Sequence, residues 1–266
     1  MAEITAKLVQ QLRQRTHQSM MECKKALQET GGDLDAAVDV LRKKGLASSE
    51  KKSARTTKEG LVAVAEACAC CGGGAAMVEV VCETDFCARN EHFQAMVVKV
   101  AELAAQAKPG PIEATPEITA AVQGCFNKIG ENMKYGRGVK IQAPVIGKYI
   151  HHNRKVGVVV GLDRPLDPQI LADLCMHIAF ADPMAIAPDQ IPPELVERER
   201  RIAQEQAAAS GKPPQIVEKM VQGKVNKFLS ENALLEQPFV RDDKKKVKDI
   251  LGGAQVLAFA RFAIGQ

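Results

Sequence analysis

Leu61-Val62-Ala63-Val64 and Ala76-Met77-Val78-Glu79-Val80-Val81, with Gly72-Gly73-Gly74 between them, decide the fold class. Before Gly60 the apolar residues recur at helical steps. From Leu61 they stand in short, β-branched runs, and the glycines between the runs supply the backbone freedom of a reversing turn, so the two runs predict a β-hairpin. Upstream, Ile4, Leu8 and Leu12 fall on one helical face, and Met20, Cys23, Ala26 and Leu27 repeat that face until Gly31-Gly32 ends the second helix. Asp33 is placed to cap a third helix with Leu34, Ala37, Val38 and Leu41 inward and Gly45 after its end. Ser48 to Lys58 is polar and basic without an apolar period, and reads as a linker.

Downstream of the hairpin, Phe93, Met96, Val97, Val100, Leu103 and Ala104 mark a helix. A second follows, with Thr115 as cap, Pro116 at its first position, and Ile118, Val122, Cys125, Ile129 and Met133 inward, then a strand from Val139 to Ile146. The theme then repeats. Lys155 to Leu162 reads as a buried strand, and Asp167-Pro168 caps a helix with Ile170, Leu171, Leu174, Cys175 and Ile178 inside. Glu194–Ala209 and Gln215–Ser230 read as two helices joined through Ser210-Gly211-Lys212-Pro213-Pro214, an antiparallel hairpin whose stripe (Leu195, Ile202, Val217, Val221, Phe228) closes on itself. Val256 to Ile264 is a closing strand with a partner distant in sequence. The expected class is α+β, two small antiparallel sheets carrying helices. The expected units are a helical domain over 1–47, a basic linker over 48–59, a first subdomain over 60–146, and a second over 147–266 with the helical hairpin at 193–230.

Composition narrows the function. The 266 residues are 46% apolar and 26% charged, a globular balance. Lys and Arg number 36 against 32 Asp and Glu, and a formal charge of +4 is too small to argue for DNA or other nucleic acid as a ligand. Trp is absent and aromatics are 4%, so stacking platforms are not a main device and each exposed Phe carries weight. Ala67 to Val78, uncharged but interrupted by glycines, is too short to cross a bilayer. Glu3 stands where a signal peptide would be basic, so a cytoplasmic protein with thiol cysteines is expected. No phosphate-loop, dinucleotide, zinc-protease or nucleophile-elbow motif occurs; Gly136-Arg137-Gly138 does not complete one. Neither catalysis, a cofactor nor direct nucleotide binding is expected.

Cys68, Cys70, Cys71, Cys82 and Cys87 raise a metal hypothesis, but a strand sends Cys70 and Cys71 to opposite faces and no second Cys-x-x-Cys completes a ligand set. They read as small apolar side chains in the hairpin. Cys82-Glu83-Thr84-Asp85-Phe86-Cys87-Ala88-Arg89-Asn90 says more, because it sets an acid beside a large aromatic where a strand gives way to a helix. On the bare residues Asp85 caps that helix and Phe86 packs as a staple. His151-His152-Asn153 reads as an exposed turn, and Lys24-Lys25 and Lys244-Lys245-Lys246 as solvated charge.

Taken together, these segments resemble the elongation factor Ts family over nearly the whole chain. Leu12-Arg13-x-x-Thr16-x-x-Ser19-Met20-Met21-x-Cys23-Lys24-Lys25-Ala26-Leu27 matches the family's N-terminal signature, and Glu79-Val80-Val81-Cys82-Glu83-Thr84-Asp85-Phe86 its second. Lys128-Ile129-Gly130-Glu131-Asn132, Gly211-Lys212-Pro213 and Gln237-Pro238-Phe239 occur in the family's order. His17 replaces the usual Gly, Val81 the usual Asn and Cys87 the usual Val.

The resemblance implies a ubiquitin-associated-like (UBA-like) three-helix domain, a core of two α+β subdomains and an inserted antiparallel coiled coil. It implies a partner, elongation factor Tu in its GDP-bound and nucleotide-free forms, and an activity, exchange of GDP for GTP by displacing Mg²⁺. By the same resemblance Phe86 is a wedge entering a cleft of the partner near its Mg²⁺ site, Asp85 perturbs the metal's surroundings, and Thr84 fixes the loop. His151 presses towards the phosphate-binding region, while Arg13, Met20, Met21 and Lys24 pack on the nucleotide domain and the stretch around Gln237-Pro238-Phe239 grips elsewhere. Two other classes remain in view: a UBA-like adaptor, which has no use for a wedge, and a thiol-dependent or metal enzyme, which lacks its His and Cys partners.

Overall fold

Each apolar run of the hairpin is buried on both faces. The computed structural model describes residues 4–16, 18–68, 73–208 and 213–265. Strand β1 (Glu59–Glu66) pairs antiparallel with β2 (Ala75–Cys82), Glu59 opposite Cys82 and Glu66 opposite Ala75. The turn's centre, with Cys70 and Cys71, lies outside the described residues. Leu61, Ala63, Ala76, Val78 and Val80 face a helical layer, whereas Val62, Ala75 and Met77 face a second sheet. A strand covered on both sides leaves little room for polar residues, which is why these runs read as almost continuous apolar sequence; the exception, Glu79, is buried and paired with Arg137 at 2.9 Å.

Ahead of the hairpin, α1 (Ala6–Thr16), α2 (Met20–Glu29) and α3 (Leu34–Lys52) enclose a small core of Val9, Leu12, Cys23, Ala26, Leu27, Ala37 and Leu41. Ser19 Oγ accepts from Glu22 N at 3.2 Å and Asp33 Oδ1 from Asp35 N and Ala36 N at 2.9 and 3.1 Å, so each helix start is capped.

The first sheet runs β1-β2-β4-β3, where β3 is Gly110–Ile112 and β4 is Met133–Ile141. After β2 come a single turn, α4 (Asp85–Arg89), then α5 (Glu91–Ala104) and, beyond β3, α6 (Pro116–Ile129). These helices set Phe93, Val97, Val100, Ile118 and Phe126 against the sheet. A second sheet, β5 (Val145–Ile150), β6 (Val156–Leu162) and β9 (Val256–Ala263), has β6 at its centre. Val158, Val160 and Leu162 pack beneath α7 (Pro168–Ala181), while Val159 joins Phe262 against the first sheet. The sheets approach closely at Gly157, where a Cβ would sit 2.5 Å from Val62 Cγ1 and 3.0 Å from Met77 Sδ. Beyond α7 lie α8 (Pro193–Ala208), α9 (Pro214–Asn232), the short β7 (Pro238–Phe239) and β8 (Asp242–Lys246), and α10 (Val247–Ile250). The class is α+β. Among the described residues no helix is long and apolar enough to cross a membrane.

Several expectations need correcting. The third helix does not stop at Gly45 but runs to Lys52, into the expected linker. At Gly45 the helix lies close to α6: a Cβ would sit 2.5 Å from Asn127 Oδ1, and Gln123 Nε2 donates to the Gly45 carbonyl. The strand expected over Val139–Ile146 is two strands in two sheets, so the boundary at 146/147 cuts β5. The chain crosses at Gln142-Ala143-Pro144, and Pro144 has no N–H to continue a ladder. In the helical pair Val217 and Val221 do face inward, but the rest of the stripe is Val196, Ala203, Ala207 and Val225, with Ile202 exposed, because the small alanines let the helices approach. Cys68 is disulfide-bonded rather than a thiol. Cys23, Cys82, Cys87, Cys125 and Cys175 are free and buried.

Candidate functional site

Where β2 ends, the backbone turns through Thr84, and the cap is Thr84 rather than Asp85. Its Oγ1 accepts from Cys87 N at 3.1 Å and donates to the Glu131 carboxylate, 3.0 Å from each oxygen. Asp85 is the first helical residue, its carboxylate 3.1 Å from Arg89 Nη2. Cys87 and Ala88 face the core, and at 100° per residue that turns Phe86 outward. Phe86 is 78% exposed, so it staples nothing. A hydrogen bond with Cys87 and burial push the Cys82 pKa up, and burial raises Cys125 to about 11, so these thiols stay protonated at neutral pH. Among the described residues no group of three or more His, Cys, Asp or Glu is arranged to hold a metal ion.

A cleft of about 510 Å³ opens beside α4, lined by Asp85, Arg89, Gln94, His152, Asn153 and Arg154 among others. Arg154, at φ 56°, turns the chain back between β5 and β6, and its carbonyl accepts from Val62 N at 2.8 Å. The residue this turn brings to Asp85's cleft is His152. His151 is half-buried, its Nδ1 2.8 Å from Tyr149 Oη and its ring 4.2 Å from that of His152. On the other side of α5's first turn, Arg13 shares a second cleft, about 500 Å³, with Gln10, Gln14, His92 and Lys128. Met20 and Met21, 47% and 62% exposed, and the exposed Lys24 lie on α2. Asp85 and His152 thus share one cleft at the start of α5 with Gln94, and Arg13 shares the other with His92.

Residues that the sequence reading passed over sit on the second sheet's helix. Phe180 is 80% exposed at the end of α7, followed by Met184 at 56%. The signal was available: 171, 174, 175 and 178 carry the inward stripe, and position 180 falls off it. Close by is the buried His177. Its Nδ1 accepts from Val240 N at 3.3 Å, so Nε2 carries the proton and donates to Gln237 Oε1 at 2.9 Å. Burial lowers the His177 pKa, consistent with the neutral ring this geometry requires. Gln237 in turn donates to the Glu231 carbonyl at 2.7 Å, fixing Gln237-Pro238-Phe239 between α7 and the end of α9.

Compared with known proteins, residues 83–266 match a family model described as "Elongation factor TS". The elongation factor Ts of Alkalilimnicola ehrlichii is 42% identical over 99% of this chain and 92% of its own length. That of Thioalkalivibrio sulfidiphilus is also 42% identical, again over 99% and 92%. That of Gluconobacter oxydans is 42% identical over all of this chain and 93% of its own.

Proposed function

The chain belongs to the elongation factor Ts family of translation elongation factors, and from that premise we propose that it binds elongation factor Tu and accelerates exchange of GDP for GTP. No bond is made or broken on this chain. It acts by binding the nucleotide-free partner more tightly than the nucleotide-bound one, and linkage makes it weaken nucleotide binding by the same factor.

One observation carries the reading: a Phe, 78% exposed, stands on a rigidly capped turn. In a chain with 4% aromatics, an outward benzyl side chain with its backbone fixed in advance is suited to insertion into another protein's cleft. Asp85 beside it brings negative charge to the partner's Mg²⁺ surroundings, and Thr84 holds the turn. His151, behind His152, backs the surface directed at the phosphate-binding region. Arg13, Met20, Met21 and Lys24 form the contact on the nucleotide domain, where the adaptable Met side chains suit an interface. The coiled-coil insertion of α8 and α9 and the UBA-like character of α1–α3 belong to the same reading.

Magnitudes require more than one anchor. Moving a two-state equilibrium from 1:99 to 99:1 takes about 5.5 kcal/mol of differential affinity, whereas burying one aromatic fully yields about 1.5–3 kcal/mol. The remainder falls to the methionine pair of α2 and to Phe180, Met184 and the braced 237–239 segment, which grip the partner so that the wedge works against a fixed support. Mixing the chain with elongation factor Tu loaded with fluorescent GDP should accelerate nucleotide release over buffer alone. Unchanged release at saturating chain would overturn the proposal.

A further inference from the structure

Lys128-Ile129-Gly130-Glu131-Asn132 contributes only Lys128 to the clefts described above, yet the Phe86 turn is built against it. Helix α4 has five residues, and a helix so short does not hold itself together in water. Its orientation must come from outside. Two consecutive residues of the loop are bonded to two consecutive residues beyond α6, where Gly130 adopts φ 80° and ends that helix. Glu83 Oε1 accepts from Asn132 N at 2.6 Å, and Thr84 Oγ1 donates to Glu131. Asn132 Nδ2 also donates to the Arg55 carbonyl at 2.8 Å, and Arg55 Nη1 lies 3.4 Å from Glu83 Oε2. Lys52, the last residue of α3, donates to the Gly130 carbonyl and lies over the Phe126 ring.

We propose that Glu131 is a positioning residue for nucleotide exchange: its carboxylate accepts the hydrogen bond of the Thr84 hydroxyl, which keeps the hydroxyl oxygen turned to the Cys87 amide and so fixes the direction of Phe86. A Thr hydroxyl rotates freely and has a single proton to give. A charged acceptor on one side orients it more strongly than water does. Glu131 is only half-buried and packs no core, so its removal should loosen the turn without unfolding the domain. The surrounding bonds from Asn132, Arg55 and Lys52 tie the same brace to the end of α3.

This rests on the exchange reading, and the test separates the two. Wild type, Glu131→Ala and Glu131→Gln are compared over a concentration series with GDP-loaded elongation factor Tu, and amide hydrogen exchange at Cys87 and Ala88 is followed in the free proteins. Because the other surfaces still grip the partner, Glu131→Ala should lower the maximal release rate about tenfold, the scale of one charge-assisted hydrogen bond, and leave the half-saturating concentration largely unchanged. A mere loss of folded protein would do the reverse. Glu131→Gln keeps an acceptor oxygen and should recover most of the rate. Faster amide exchange at Cys87 in Glu131→Ala is expected whether or not a partner is present. An unaltered maximal rate, or unaltered protection at Cys87, would overturn the assignment. If the wild type itself fails to accelerate release, the exchange reading falls, and the amide measurement still decides the role of Glu131.

Discussion

Phe86→Ala should separate folding from function. The ring is 78% exposed and belongs to none of the buried clusters, so its loss should move unfolding free energy by no more than about 0.5 kcal/mol, as for other surface positions. Phe93, seven residues on and fully buried, sets the contrast: Phe93→Ala should cost about 3–5 kcal/mol. In the complex the order reverses. If the ring is the proposed wedge, its burial should be worth about 1.5–3 kcal/mol, all of it realised only when the partner's cleft has opened. At about 1.4 kcal/mol per decade, that is a slowing of stimulated GDP release by roughly 10- to 150-fold. Urea titration gives the first quantity, and stopped-flow release of fluorescent GDP from elongation factor Tu gives the second. Wild-type release by the folded Ala variant would refute the wedge, and a large fall in its stability would refute the claim that the ring does no structural work.

Replacing Met20 and Met21 together by Ala should raise the dissociation constant for elongation factor Tu in calorimetry while leaving the fold intact, since both side chains are exposed; an unchanged constant would remove α2 from the interface. The buried His177, with its pKa lowered, binds its proton less readily in the folded chain than in the unfolded one. Stability should therefore fall as pH drops below about 6.5, by at most about 1.4 kcal/mol per pH unit. His177→Gln should flatten that slope, and an identical slope in the variant would contradict the burial argument. Gly157→Ala places a methyl against Val62 and Met77 and should destabilise by about 1–3 kcal/mol in thermal unfolding; a neutral effect would show that the two sheets can separate there without penalty.

Much of this architecture is written in local pattern. The caps at Ser19, Asp33, Thr115 and Asp167 all sit ahead of helices whose apolar period announces them. What local pattern does not contain is which elements meet. Gly45 looks like a helix stop until α6 is seen across from it, and the break at Pro144 matters only because β4 and β5 join different sheets. The same holds at the site. Asp85 and Phe86 stand out by type, but local sequence does not rank Thr84 above Asp85 as cap, and the side chain that Thr84 bonds, Glu131, lies 47 residues away. His152 rather than His151 reaches the cleft for a similar reason. The positive φ of Arg154 and the bond from Val62 N, neither of them local to the histidines, set the turn's direction.

The packing of the two sheets explains why distant anchors can act together. Val62, Ala75, Met77, Ile141, Val159 and Phe262 form one cluster between the sheets, so the helix carrying Phe180 and the turn carrying Phe86 are mounted on opposite sides of a shared core. A wedge transmits strain only if its support does not yield, and close-packed interiors yield little. If the sheets were joined only by the residues at 142–144, energy gained at Met184 and Phe180 would be dissipated in rotation of one subdomain against the other. Gly157 lets β6 settle against Val62 and Met77, and on the proposed mechanism binding at one end should raise the fraction of complexes in which Phe86 is seated at the other. Gly157→Ala should accordingly lower the maximal exchange rate by more than its loss of folded protein accounts for, and a rate that simply tracks the folded fraction would show that the anchors act independently.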